Sequence, residues 1–125
     1  MKKKIAIIGS GIAGLTLANL LKINSNFEFI VYEKGEILNL DEGFGIQLSV
    51  NSVSILNKIG FNQLSKNEKY HPSKLDFYSI NYNKICDLDL TTFNSANVKY
   101  TTLKRSILIK FLKEKLLSNS IIFHK

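Results

Sequence analysis

The sequence of 125 residues contains one cysteine, one proline and no tryptophan. A lone cysteine, Cys86, cannot form a disulfide within the chain, so we expect a reducing, cytoplasmic location. Long apolar runs are also missing, and none approaches the roughly 18 residues that a membrane-spanning helix needs. Apolar residues make up 45% of the chain and charged residues 22%. These values exclude a membrane span and a strongly disordered chain, and the length allows one domain.

Arginine is almost absent, because 16 of the 17 basic residues are lysines and Arg105 is the exception. With 10 acidic residues the net charge is +7, and 13 Asn and 16 Ile accompany the lysines. This is the bias that an AT-rich genome produces, so the charge says little about partners. Lysine reads bases less specifically than arginine does. We therefore expect no nucleic-acid partner, only an affinity for anions such as a phosphate-bearing cofactor.

The start of the chain has the pattern of a βαβ unit. A β-branched run at Lys3–Ile8 predicts a fully buried parallel strand. Helical spacing of apolar residues over Ile12–Ile23 predicts a helix, and Phe27–Tyr32 predicts a second strand. The two strands should be parallel and joined by a right-handed crossover. The pattern predicts an α/β protein with a Rossmann-like dinucleotide-binding fold.

Shorter elements are predicted for the rest of the chain, without repeats or linkers. Asn51 or Ser52 can cap the second helix and Gly60 can end it. The predicted elements are a loop at Lys34–Gly45, an extended segment at Ile46–Val50, a helix at Asn51–Ile59, an antiparallel hairpin of Leu75–Ile80 and Ile85–Leu90, a helix at Thr102–Leu117 and a strand at Ile121–Phe123.

A glycine-rich loop connects the first strand to the first helix, and it fits the pattern G-x-G-x-x-G. Gly9 permits the tight turn, Gly11 lets a pyrophosphate approach the backbone, and Gly14 lets the helix pack closely on the strand. We also expect a positive φ at Gly11. The N-terminus of the helix then offers free N–H groups to the phosphates. The loop residues are Gly9, Ser10, Gly11, Ile12, Ala13 and Gly14.

Glu33 follows Gly14 by 19 residues, at the end of the second strand. A carboxylate there accepts hydrogen bonds from an adenosine ribose and repels a 2′-phosphate, which argues against NADP at this site. The alternative is a glycine turn without a ligand and a surface glutamate. The loop alone does not distinguish FAD from NAD.

Three further segments are found in the same order as in one enzyme family. They are Gly43-Phe44-Gly45-Ile46-Gln47-Leu48, then Asn51-Ser52 with Leu56-Asn57-Lys58-Ile59-Gly60-Phe61, and the helix start Arg105-Ser106-Ile107-Leu108. With the glycine loop, this order resembles the N-terminal part of the FAD-dependent aromatic hydroxylases, the flavin monooxygenases similar to para-hydroxybenzoate hydroxylase.

The resemblance implies a set of cofactor contacts. FAD would place its pyrophosphate on residues 9–14 and its ribose at Glu33, with Lys34 beside the adenosine. Gly45 and Gln47 would lie near the flavin, and Arg105 would contact the cofactor through its planar guanidinium. For Arg105 a surface position, and for Gln47 an exposed strand position, are the alternatives. NAD(P)H would be the co-substrate, and O₂ would be used to hydroxylate an aromatic or similar small molecule; the catalytic residues are unknown.

Family members are several hundred residues long and carry later Asp-Gly and Gly-Asp motifs that this sequence lacks. We therefore expect an incomplete domain over residues 1–125, with residues 75–90 as the first hairpin of a substrate-binding region. A second chain or a downstream fragment would complete the fold. Without that segment, a strand edge near Ile5–Ile8 or Ile121–Phe123 should be unpaired. Other possibilities are a non-catalytic nucleotide-binding module or an inactive remnant.

Other candidate chemistry is sparse. His71 and His124 have no carboxylate at metal-ligand spacing, so no metal site is predicted. Cys86 is interpreted as a packed strand residue rather than a nucleophile.

Overall fold

The computed structural model describes residues 1–37 and 43–125, which form two compact units, Met1–Phe44 with Lys104–Lys125, and Gly45–Leu103. The predicted loop at Lys34–Gly45 lies partly outside the described residues. In chain order the elements are β1 (Lys3–Ile8), α1 (Ile12–Lys22), β2 (Phe27–Tyr32), β3 (Gly45–Leu48), α2 (Val50–Asn57), β4 (Lys74–Tyr78), β5 (Lys84–Asp89), β6 (Thr101–Lys104), α3 (Arg105–Glu114) and β7 (Ile121–Ile122), with short 3₁₀ turns between some of them.

The first unit contains the βαβ arrangement that the sequence predicts. β1 and β2 are parallel, with Lys3 opposite Phe27 and Ile8 opposite Tyr32. β7 pairs with β2 on its other side, also in parallel, which gives the strand order β1-β2-β7. The carboxyl ends of β1 and β2 therefore lie at the same end of the sheet, where the glycine loop begins.

Helices α1 and α3 pack together in this unit. Leu15 on α1 and Leu112 on α3 are completely buried. Between them lies Asn19, whose side-chain Nδ2 donates to the carbonyl oxygen of Leu15 at 2.8 Å and to that of Leu112 at 2.9 Å. Because the side chain is only 3% exposed, this pair of hydrogen bonds is a buried polar link between the two helices.

One face of the sheet is open, so the prediction of a fully buried β1 is wrong. Ile7 is buried, but its neighbour Ile8 is 82% exposed. Burial alternates along β2 as well, with Val31 buried and Ile30 39% exposed. The reason is that, among the described residues, the packed side chains belong to one face only. The strand order makes β1 and β7 the two edges of the described sheet, which confirms the predicted unpaired edges.

The third predicted helix, Thr102–Leu117, is found as Arg105–Glu114, but its predicted start is wrong because Thr101–Lys104 forms strand β6. Thr101 and Leu103 are buried while Thr102 between them is partly exposed, which is the alternation of a strand. β6 pairs with β3, and Thr102 also exchanges two 2.8 Å backbone hydrogen bonds with Tyr70. Backbone pairing with strand β3 and with the single residue Tyr70 overrides the helical spacing of the leucines that follow.

The structure corrects the predicted start of α2 and agrees with the predicted role of Gly60. The helix starts at Val50 and its N-cap is Ser49, so the predicted caps Asn51 and Ser52 are wrong. Gly60 has a left-handed φ of 90°, and a 3₁₀ turn follows it, in agreement with its predicted role as the end of the helical segment.

The hairpin is confirmed, since β4 and β5 are antiparallel. Its surface carries ion pairs between Lys84 and Asp76 at 2.9 Å and between Lys74 and Asp87 at 3.4 Å. Its assignment to a substrate-binding region remains a prediction. In the part of the chain that the structure describes, no helix has the length and apolar character needed to cross a membrane.

Candidate dinucleotide-binding site

Two glycines of the loop are required by the backbone itself. Gly9 has a φ of +93°, which side chains other than glycine rarely adopt, and its N–H donates to the carbonyl oxygen of Tyr32 at 2.7 Å. A Cβ on Gly14 would lie 2.0 Å from the carbonyl oxygen of Gly9. The loop therefore turns back tightly against the first turn of α1, as the glycine pattern predicts.

Gly11 differs from these two positions. Its φ is −71°, so the expected positive φ is wrong. A Cβ built on Gly11 would have no heavy atom within 4 Å, because the position faces open space. The protein alone does not require glycine there, whereas a group bound at the start of α1 would. This is the behaviour expected of the glycine that a pyrophosphate approaches.

The N-terminus of α1 suits an anion. Gly11 is the N-cap, no side chain makes a capping hydrogen bond, and the first turn contains no acidic residue. The backbone N–H groups of the first turn, at Ile12, Ala13 and Gly14, and the positive end of the helix dipole point in the same direction. A phosphate group placed there would be stabilised by both.

Glu33 is held by the loop. Its Oε2 accepts one hydrogen bond from the Ser10 hydroxyl at 2.6 Å and another from the Ser10 backbone N–H at 2.8 Å. Its Oε1 accepts from the backbone N–H of Gly35 at 2.9 Å. These donors, the Ser10 hydroxyl first, then the Gly35 and Ser10 amides, lower the pKa of the Glu33 carboxyl to about 2. The side chain is therefore ionised and fixed in orientation beside the loop.

The hydrogen bond from the Ser10 hydroxyl to Glu33 was not predicted from the sequence. Ser10 is 1% exposed. The parallel register, with Ile8 opposite Tyr32, brings the residues that follow the two strands to the same end of the sheet. A serine two residues after one strand and a glutamate directly after the next were the available signal.

Arg105 lies in the same unit as the glycine loop, at the first position of α3. Its backbone N–H donates to the carbonyl oxygen of Phe44 at 3.0 Å. Gly43 has a φ of +110°, and a Cβ there would lie 2.7 Å from Cδ of Arg105. Two segments that carry the resemblance to the hydroxylases thus meet in space. Gly43 was not predicted to be part of the site, yet its positive φ and the nearby Arg105 side chain both favour glycine there.

The remaining predicted cofactor contacts are Lys34, Gly45 and Gln47. Gly45 and Gln47 are on β3 in the unit Gly45–Leu103, and Gln47 is exposed, with its Oε1 accepting from the hydroxyl of Tyr100 at 3.0 Å. Lys34 is exposed. Their contacts with a cofactor remain predictions.

Cys86 is exposed on β5, so its interpretation as a packed residue is wrong. Every residue of β5 is exposed, and burial therefore does not fix its side chains. His71 and His124 belong to different units. Among residues 1–37 and 43–125, no group of three His, Cys, Asp or Glu side chains is arranged to hold a metal ion.

Comparison with known proteins gives a family match that includes the glycine loop and two similar enzymes. Residues 7–39 match a family described as an NAD(P)-binding Rossmann-like domain. Over 59 residues the chain is 46% and 44% identical to two 3-amino-4-hydroxybenzoate 2-monooxygenases of Streptomyces platensis. The aligned segment covers 47% of this chain and 14% of each relative.

Solved structures extend the likeness of fold to the whole chain. 2-Methyl-3-hydroxypyridine-5-carboxylic acid oxygenase superposes with a TM-score of 0.77 at 22% identity, over 98% of this chain and 32% of that one. 2,6-Dihydroxypyridine-3-hydroxylase from Arthrobacter nicotinovorans superposes with a TM-score of 0.70 at 17% identity, over 100% of this chain and 29% of that one.

The chain therefore has an α/β fold of the Rossmann-like dinucleotide-binding class. The comparisons also confirm the resemblance that the motifs indicate, to the N-terminal part of flavin-dependent aromatic hydroxylases. The chain spans about a third or less of the length of the proteins that it matches.

Proposed function

We propose that the chain is the FAD-binding N-terminal portion of a flavin-dependent monooxygenase. The observation that carries the proposal is the glycine loop with Glu33 fixed beside it. The loop leaves open space at Gly11 and an uncapped helix N-terminus, while Glu33 is an ionised acceptor at the same end of the sheet. The similarity to the two Streptomyces monooxygenases supports FAD over other dinucleotides.

In this proposal the protein contributes binding and orientation. The N–H groups of Ile12, Ala13 and Gly14 would hold the pyrophosphate, and Glu33 would accept hydrogen bonds from the ribose hydroxyls. Lys34, Gly45, Gln47 and Arg105 would contact other parts of the cofactor. The bound flavin, reduced by NAD(P)H, supplies the reaction with O₂.

The substrate class is proposed from the names of the two Streptomyces enzymes and the two solved structures described above. Their names specify an aminohydroxybenzoate and hydroxylated pyridines, which are all small aromatic rings. We propose a substrate of this class for the complete enzyme.

Completion of the site would come from a further polypeptide segment. β1 is an edge strand, and the sheet face that contains Ile8 and Ile30 is open. An additional strand along β1 and a covering layer on this face would remove both features. The segment would belong either to a longer form of this chain or to a second chain.

The proposal is tested by flavin content and nucleotide affinity. The purified chain should bind ADP saturably, and flavin should be retained when the chain is co-expressed with the missing part of a related hydroxylase. Gly11→Val should abolish both, since a β-branched side chain would occupy the open space at the helix start. Binding of ADP without flavin in any combination would favour the alternative, a non-catalytic nucleotide-binding module. Equal ADP binding by Gly11→Val and the unchanged chain would contradict the site itself.

A further inference from the structure

A cleft lies in the unit Gly45–Leu103, and none of the residues assigned above to the dinucleotide site lines it. It is a cleft of about 380 Å³ between the end of α2, the turns that follow it and the segment before β6. This volume is within the range of small-molecule pockets. All of its lining residues belong to the one compact unit.

The charge of the cleft is one-sided. Lys66, Lys69 and Lys99 line it, and no aspartate or glutamate does. Among the described residues none of these three lysines has a carboxylate within 4.0 Å, in contrast to the hairpin lysines Lys74 and Lys84, which form ion pairs. The cleft therefore contains three lysine ammonium groups without neighbouring carboxylates, and this favours an anionic ligand.

Lys69 occupies a defined place in this cleft. Its Nζ donates to the carbonyl oxygens of Phe61 at 3.2 Å and Asn62 at 3.4 Å, and lies 5.2 Å from the centroid of the Phe61 ring. An ammonium group has three donors, so one remains. Burial lowers the pKa of Lys69, although the charge of Glu68 acts in the opposite direction. A bound anion would stabilise this partly desolvated charge.

The rest of the cleft lining includes apolar side chains and a histidine that is held by hydrogen bonds. Phe61 and Val53 line the cleft but are buried, so the apolar surface open to a ligand belongs to half-buried Leu64 and exposed Ala96. His71 is held through Nδ1, which lies 3.2 Å from the carbonyl oxygen of Tyr100 and 3.1 Å from the hydroxyl of Thr101. The cleft thus combines the hydrogen-bonded ammonium group of Lys69 with an apolar surface and the fixed ring of His71.

We propose that this cleft binds a small organic carboxylate, with the carboxylate at Lys69 and the apolar body of the ligand against Leu64 and Ala96. The site is independent of the glycine loop, because no residue between 9 and 14 and no other predicted cofactor contact lines it. It would hold an organic acid whether or not a flavin is bound elsewhere.

The experiment titrates the 125-residue chain with benzoate at constant ionic strength and follows the backbone amides of residues 61–71 and 96–102 by NMR. Saturable shifts confined to these segments are expected. Benzamide, the neutral analogue of similar shape, should bind about tenfold more weakly or not at all, since it lacks the charge. The result for Gly11→Val should equal that for the unchanged chain, which separates this site from the dinucleotide site.

The matched variants are Lys69→Gln and Lys58→Gln. Lys58 is exposed in the same unit and does not line the cleft. Lys69→Gln should weaken benzoate binding about tenfold, and Lys58→Gln should leave it unchanged. Lys66→Gln serves as a second cleft variant if the amide spectrum shows that Lys69→Gln is unfolded.

Three results would overturn the proposal. Equal weakening by the cleft variants and Lys58→Gln would reduce the effect to general attraction by a chain of charge +7. Absence of saturation by benzoate would remove the site. Saturation by inorganic phosphate but not by benzoate would contradict the apolar half of the recognition.

Discussion

The hydroxyl of Ser10 donates a hydrogen bond to Oε2 of Glu33 across 2.6 Å, joining residues that are 23 positions apart. The backbone N–H of Ser10 donates to the same oxygen at 2.8 Å. The carboxylate that we propose for ribose binding is therefore oriented by the phosphate-binding loop itself. Ser10 is a positioning residue, since it acts on a ligand through Glu33.

The pH dependence of stability should reflect this contact. The pKa of Glu33 is lowered from 4.5 to about 2 in the folded chain. A lowered folded-state pKa means that ionised Glu33 stabilises the fold fully above about pH 4.5, and that this contribution is lost as the pH falls to about 2. Urea unfolding at a series of pH values should show a shallower acid limb for Glu33→Gln than for the unchanged chain. Identical acid limbs would mean that Glu33 has no preferential stabilisation in the folded state.

Removing the Ser10 hydroxyl should raise the pKa of Glu33 toward its ordinary value, because the side-chain hydrogen bond is the largest cause of the shift. Ser10→Ala should also destabilise the chain by about 1 kcal/mol, the net contribution of a hydrogen bond. NMR titration of the Glu33 carboxyl carbon measures the pKa directly. Ser54→Ala, at an exposed position on α2, is the control and should change neither quantity. An unchanged Glu33 pKa in Ser10→Ala would contradict the hydrogen bond.

The glycines of the loop should separate into structural and ligand-dependent positions. Gly14→Ala places a Cβ 2.0 Å from the carbonyl oxygen of Gly9 and should destabilise the chain by about 1–3 kcal/mol. Gly11→Ala meets open space at an ordinary φ, and its cost at an N-cap should stay below about 1 kcal/mol.

Thermal unfolding together with ADP titration tests this division. Gly14→Ala should lower the melting temperature clearly, whereas Gly11→Ala should lower it little and weaken ADP binding. A larger loss of stability from Gly11→Ala than from Gly14→Ala would contradict the loop geometry.

The sequence predicted the βαβ unit well because the unit is local. Strand, glycine turn, helix and strand follow one another over Lys3–Tyr32, and each has a strong periodic or conformational signal. The glycine spacing and Glu33 were visible for the same reason. Their contact through Ser10 was not, because it depends on the register between two parallel strands.

The sequence misled where pairing with distant strands decides the structure. The leucine spacing around Leu103 and Ile107 suits a helix, yet Thr101–Lys104 pairs with β3 and becomes a strand. Burial of β1 was overestimated because an apolar run does not show which of its two faces is covered. The approach of Arg105 to Gly43 was also invisible, since it is a tertiary contact between segments more than 60 residues apart.

Asn19 should contribute strongly to the stability of the first unit. Its side chain donates to the carbonyl oxygens of Leu15 and Leu112, and both bonds are buried. Asn19→Ala leaves the Leu112 carbonyl without this donor and should cost about 1–3 kcal/mol. Asn51→Ala, at an exposed position on α2, should have a small effect. Chemical denaturation of both variants gives the comparison, and equal losses would mean that the link between α1 and α3 is not stabilising.

The open edge of the sheet should determine how the isolated chain behaves in solution. Ile8 is 82% exposed on edge strand β1, beside the open face that includes Ile30. An unpaired edge with exposed apolar side chains promotes association between chains. Ile8→Lys should therefore lower the average mass of the chain in light scattering and in sedimentation. Ile80→Lys is the matched control, because Ile80 is 94% exposed but lies between β4 and β5 in the other unit. It adds the same charge without changing the edge and should leave association nearly unchanged.

The two variants should also differ when the chain is co-expressed with the missing part of a related hydroxylase. Ile8→Lys obstructs a segment that would complete the sheet, so only Ile80→Lys should retain flavin. An equal decrease in association for both variants would attribute the effect to added charge rather than to the edge of β1.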